Sequence, residues 1–172
     1  MRLPTLYQFF RHQLQHGFSA HGLSGTPTID YVSDILARFA QTRTLYPLRD
    51  ADGRRIEHIV DMLATWQQAQ DDRPAARAGN IVRYIGEYTL FMSGLFRDRV
   101  SARGELDYYV AHGRNAFWRS ADYEINPARR QLYHRLYHDF APISDILDYL
   151  RRVQFPLRAN GPDPVLSAYW RV

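Results

Sequence analysis

One stretch constrains this chain more than any other. Residues 80–96, NIVRYIGEYTLFMSGLF, place apolar side chains over more than half of a helical circumference. Ile81, Val82, Tyr84, Ile85, Tyr88, Thr89, Phe91, Met92, Leu95 and Phe96 fall on one broad arc. A helix lying on a protein surface needs an apolar stripe only about 100° wide. A wider arc demands neighbours on several sides. The spacing therefore predicts a central helix over about 75–96, with the rest of the chain folded around it. Gly86 and Ser93 share a narrow seam on this helix where another helix can approach closely. A glycine inside a helix costs about 1 kcal/mol against alanine, and close packing offsets that cost. After a basic turn, RDRVSARG, a second helix is predicted over 105–121. Leu106, Tyr109, Val110, Gly113, Ala116 and Phe117 form its inward stripe.

The remaining periodicities are helical too. A first helix is predicted over 4–16, with Leu6, Phe10 and Leu14 on one side. Thr26 followed by Pro27 reads as N-cap and first helical residue of the next. Its stripe is Ile29, Val32, Ile35, Leu36 and Phe39. A third helix is predicted over 54–70, with Ile56, Ile59, Val60, Leu63, Trp66 and Gln67 as its inward stripe. Asn126 and Pro127 open another that runs to about 140, and Pro142 breaks or kinks it. Ile143, Ile146, Leu147, Leu150 and Val153 make a last amphipathic helix. No period-two run bounded by hairpin turns appears. The fold class is therefore all-α: a single-domain bundle of six or seven helices over residues 1–155. Residues 156–172, with Gly161, Pro162 and Pro164, read as an extended tail whose Tyr169 and Trp170 dock back on the bundle. A chain of 172 residues suits one domain and buries roughly two thirds of its unfolded surface.

Composition removes several kinds of chemistry. There is no cysteine, so disulfides, thiol catalysis and thiolate metal sites are excluded. All 22 basic residues are arginine, which excludes Schiff-base lysines and a Walker-type phosphate lysine. No run of 18 apolar residues is present, and the N-terminus lacks the apolar core of a signal peptide. A cytoplasmic protein is expected. The formal net charge is only +4, and the arginine clusters are interleaved with acids. A nucleic-acid surface needs its cations gathered on one face, so nucleic acid is not the expected partner.

Few residues offer chemistry. His134 and His138 stand four apart, which puts two imidazoles on one helix face. That face is opposite Leu136 and Phe140, so a surface pair is expected rather than a metal site. A di-metal bundle needs inward carboxylates and histidines. Glu87, Asp107 and His112 are the residues to test for it, and there is no Glu-x-x-His motif. Glu87 is four residues from Arg83 and reads as a helix-surface ion pair. Tyr108 and His112 lie one turn apart, off the apolar stripe, and with Arg114 could meet an anion or an acidic partner. Ser93 lies inside a helix and not on a strand–turn–helix elbow, so it is no nucleophile candidate.

Two motifs carry a resemblance. Gly86-x-x-x-Leu90-Phe91-x-Ser93-Gly94-x-Phe96 is followed by Asp107-Tyr108-Tyr109-x-x-x-Gly113-x-x-Ala116-Phe117. The pattern resembles an uncharacterised bacterial family of small all-helical proteins. Its first helix often ends Phe-Pro-Glu and its second carries Tyr-x-x-x-Gly-x-x-Ala-Tyr. Here Arg97 stands in place of the proline and Phe117 in place of the tyrosine. The resemblance implies a helical fold and no reaction.

The expected function is a soluble helical protein that binds a partner protein, a second copy of itself or an apolar ligand, without catalysis and without a cofactor. Glu87, Tyr108, His112 and Arg114 are its candidate contacts. The alternative is a helical metalloenzyme or cofactor-binding protein using Glu87, Asp107 and His112, with His134 and His138 as further metal candidates. A weak nucleic-acid binder comes third.

Overall fold

A computed structural model describes residues 5–40, 58–71 and 75–153. Among these the chain forms α1 (Leu6–Ala20), α2 (Thr26–Phe39), α3 (Ile59–Asp71), α4 (Ala76–Leu95), α5 (Arg97–Ala102), α6 (Leu106–Ser120), α7 (Pro127–His138) and α8 (Phe140–Val153). A single 3-10 turn, Ala121–Tyr123, joins α6 to α7. No strand occurs among the described residues. The expected tail over 156–172, its docking aromatics and the start of the helix expected over 54–70 lie outside them.

Local chemistry sets the helix ends. Thr5 and Gln8 form a capping box on α1: the Gln8 amide donates to Thr5 Oγ1, and the Thr5 amide donates to Gln8 Oε1. At its other end Gly22 takes φ +70°, and the Leu23 amide returns to the Phe18 carbonyl at 2.9 Å. That is a Schellman closure, which extends α1 well past the expected end at residue 16. Gly25, not Thr26, precedes the first helical residue of α2, with Pro27 one place further in. Asn126 caps α7 as its sequence predicts, accepting from the amides of Ala128 and Arg129.

Two junctions differ from expectation. The basic turn RDRVSARG contains α5, so the described residues hold eight α-helices where six or seven were expected. Pro142 does not break a helix. The chain breaks at Asp139, and Pro142 sits in the first turn of α8. There its missing N–H leaves nothing unpaired, because first-turn amides have no intrahelical partner.

α4 is the axis. Fourteen of its twenty residues are buried, on every side of the helix, as the wide apolar arc requires. α6 and α8 pack along it, and α2 and α3 also contact it. Glycines set how closely. A Cβ on Gly113 of α6 would overlap Thr89 Oγ1 and the Phe140 ring, so α6 approaches α4 with no side chain between. The Gly86/Ser93 seam serves two neighbours, not one. Gly86 faces the Phe117 ring of α6, whereas Ser93 bonds Ser144 of α8 at 3.0 Å. Gly94 completes that second contact, where a Cβ would lie 2.5 Å from Leu147 Cβ.

Arg97 locks the end of α4. Its Nε donates to the Ser93 carbonyl at 3.0 Å, and one terminal nitrogen reaches both Ser144 Oγ and Asp145 at 2.9 Å. A cation against the last carbonyls of a helix is favourable there. The arginine thus closes α4.

Candidate functional site

Two polar features stand out against this core. The first is a cleft of about 500 Å³ between α2, α4 and α7. Its floor is Glu87, which is only 3% exposed. The expectation that Glu87 makes a helix-surface pair with Arg83 is therefore corrected. Arg83 Nε is a distant 3.9 Å away, and the short contacts come from α2. Tyr31 donates its hydroxyl proton to Glu87 Oε1 at 2.5 Å, and Arg38 donates to Glu87 Oε2 at 3.0 Å. The reason is three-dimensional: α2 brings Tyr31 and Arg38 over the side of α4 that the wheel left polar.

The network has an ordered chemistry. Arg38 also grips Asp34 at 2.8 Å, which fixes its fork over the carboxylate. Burial pushes the Tyr31 hydroxyl well above the ordinary tyrosine range, and the Glu87 carboxylate pushes it the same way. Tyr31 is thus a committed donor. The Phe117 and Tyr133 rings meet its ring edge at 6.3 and 6.0 Å and hold it in place. At the cleft's other wall Arg129 lies 3.3 Å from Tyr133 Oη and 3.4 Å from Glu124.

The second feature is the outer face of α6 and α7. The Tyr108 and His112 rings pack at a tilt, with centres 4.2 Å apart. Burial draws the His112 imidazole below its ordinary range. One and two turns further along the same stripe come Asn115 and Trp118. Trp118 stacks on His134 at 4.5 Å and 28°, and its other neighbour is Tyr137 at 5.0 Å. Arg114 lies over the Tyr137 ring at 4.8 Å and donates to the Tyr137 carbonyl at 3.2 Å. A hollow of about 510 Å³ opens beside Trp118, lined by Asn115, Arg119, Tyr137 and His138.

The sequence candidates thus divide between two places. Tyr108, His112 and Arg114 share the α6–α7 face, and Glu87 lies in the α2–α4–α7 cleft. Asp107 is exposed at the start of α6 and does not line the cleft that Glu87 lines. The set Glu87, Asp107 and His112 therefore does not converge. His134 and His138 each contact an aromatic ring. No group of three or more histidines and carboxylates placed to hold a metal occurs among the described residues. No helix among them is long and apolar enough to cross a membrane.

Sequence reasoning passed over Tyr31, Arg38, Arg129, Trp118 and Tyr137. Trp118 was within reach. Residues 108, 112, 115 and 118 fall on one helical stripe, opposite the buried one at 109, 113, 116 and 117. Tyr31 and Arg38 gave no such signal, since their partner is 56 and 49 residues away. No protein-family model matches the sequence, and no curated protein and no solved structure is similar to the chain.

Proposed function

We propose that this chain is a non-catalytic binding protein that engages a partner protein through the α6–α7 face. One observation carries the reading: Trp118 and Tyr108 are each 41% exposed on one stripe while their rings are already held by neighbours. Ring contacts that fix an exposed aromatic before binding lower the ordering cost of association. Tryptophan, tyrosine and arginine are also the residues that dominate interface energetics. The hollow beside Trp118 offers a socket for one partner side chain, and Arg119 at its edge favours an acidic surround.

The test is a comparison of two proteins. The wild-type chain and a Trp118→Ser/Tyr108→Ser variant are used to capture partners from the source organism's lysate. A partner identified by mass spectrometry is then purified and titrated against both. Stoichiometric binding weakened at least tenfold by the double variant supports the reading. Equal affinity for both proteins sinks it. The same face could stack single-stranded bases. Binding of random oligonucleotides that falls steeply with salt, with no protein captured, would replace the proposal with that one.

A further inference from the structure

The cleft over Glu87 is chemically distinct from the α6–α7 face and is built for something smaller. We propose that it binds a small zwitterion of the α-amino acid class, with the carboxylate on Arg83 and Arg129 and the ammonium toward Asp30 and Asp34. Its volume of about 500 Å³ lies within the range of small-molecule sites.

The assignment follows from which charges are already committed. Glu87 is not available to a ligand, because Tyr31 and Arg38 hold its two oxygens at 2.5 and 3.0 Å. Arg38 is not available either, since Asp34 and Glu87 share its fork. Arg83 and Arg129 differ. Arg83 reaches Glu87 at 3.9 Å and Asn80 at 3.3 Å. Arg129 reaches Tyr133 at 3.3 Å and Glu124 at 3.4 Å. These contacts are long for guanidinium hydrogen bonds, and each guanidinium has five N–H donors. Both arginines therefore keep donors for a carboxylate, from α4 and α7 respectively. Both line the same cleft.

The α2 wall carries the opposite sign. Asp30 gives Oδ1 to Arg11 at 2.7 Å, and Asp34 gives Oδ2 to Arg38 at 2.8 Å. The second oxygen of each carboxylate accepts nothing among the described residues. A simple anion in this cleft would face three carboxylates, and a simple cation would face three guanidiniums. A molecule with both charges a few ångströms apart meets each with its complement. Pro27 and Leu132 supply apolar lining for a short apolar side chain.

The experiment is a calorimetric titration of the full chain with the twenty free α-amino acids in turn. Acetate, inorganic phosphate and methylamine are the single-charge controls. At least one amino acid is expected to bind with 1:1 stoichiometry. Its N-acetyl and methyl-ester derivatives, each missing one charge, are expected to bind at least tenfold more weakly. Arg83→Gln and Arg129→Gln are expected to weaken binding tenfold or more while melting within a few degrees of wild type. Asp30→Asn tests the ammonium side in the same way. Binding of phosphate or acetate as tight as that of every amino acid would overturn the zwitterion assignment. No binding by any of the twenty, or full affinity in both arginine variants, would overturn the site.

Discussion

Replacing Gly113 with alanine adds one methyl group at the tightest point of the fold. The new Cβ would overlap Thr89 Oγ1 and two atoms of the Phe140 ring. Neither neighbour can give way. The Thr89 hydroxyl lies 2.7 Å from the Ile85 carbonyl and 2.9 Å from that of Gly86, and the side chain is fully buried. Phe140 is fully buried and packs on Phe117. Relief must come from moving α6 away from α4. Overpacking of this kind costs about 1–3 kcal/mol, and overlap with two fixed groups puts Gly113→Ala at the upper end. Alanine returns about 1 kcal/mol of helix propensity. The net loss is then about 2 kcal/mol, or roughly 4–8 °C in Tm for a chain of this length. Gly86→Ala is the calibrating variant. Its Cβ would meet Phe117 ring atoms at 3.1 Å, a gap that a small shift relieves. Overpacking and propensity nearly cancel there, so its stability should stay within about 1 kcal/mol of wild type. Urea unfolding followed by helical circular dichroism measures both. A Gly113→Ala protein as stable as wild type, or one less affected than Gly86→Ala, would refute the placement of α6 on α4.

Two further outcomes follow from the polar contacts. Tyr31 holds its proton more tightly folded than unfolded, so its stabilisation is complete below the ordinary tyrosine value of about 10 and is lost as pH rises through the folded value. Urea midpoints measured from pH 8 to 11 should therefore fall more steeply for wild type than for Tyr31→Phe, and parallel curves would contradict the buried donor. Arg97→Met removes the bonds to the Ser93 carbonyl, Ser144 and Asp145, a loss of about 1.5–3 kcal/mol for a charge-assisted set. A thermal melt unchanged in that variant would show that Arg97 does not close α4.

The sequence displayed the parts of the fold that depend on one helix at a time. The width of the apolar arc identified α4 as central, because a helix packed by several neighbours needs more than one narrow apolar stripe. Asn126–Pro127 marked the start of α7 because its cap is built from adjacent residues. Pairing between helices was not legible. Gly86 and Ser93 share a face, yet they meet different partners, because α6 and α8 cross α4 at different heights. The six-residue α5 was missed for a related reason. Its residues carry no apolar period of their own, and only Val100 is buried.

Glu87 shows the same limit at the site. An i, i+4 Arg–Glu pair on the polar side of a helix ordinarily marks water. Here α2 supplies Tyr31 and Arg38 from across the chain, and the carboxylate sinks to 3% exposure. Stability alone is a poor reason for such an arrangement. Burying an ion pair costs desolvation that its attraction at best repays, and a well-packed apolar set in its place is often neutral or better. The rest of α4 is packed in that apolar way, with Ile85 and Leu90 fully buried close by in the same helix. A satisfied carboxylate kept at the floor of an open, charge-lined cleft therefore points to what the cleft admits rather than to what holds the bundle together. Its bond to Tyr31 fixes one donor in space, its bond to Arg38 commits one cation, and Arg83 and Arg129 remain the cations with donors to spare.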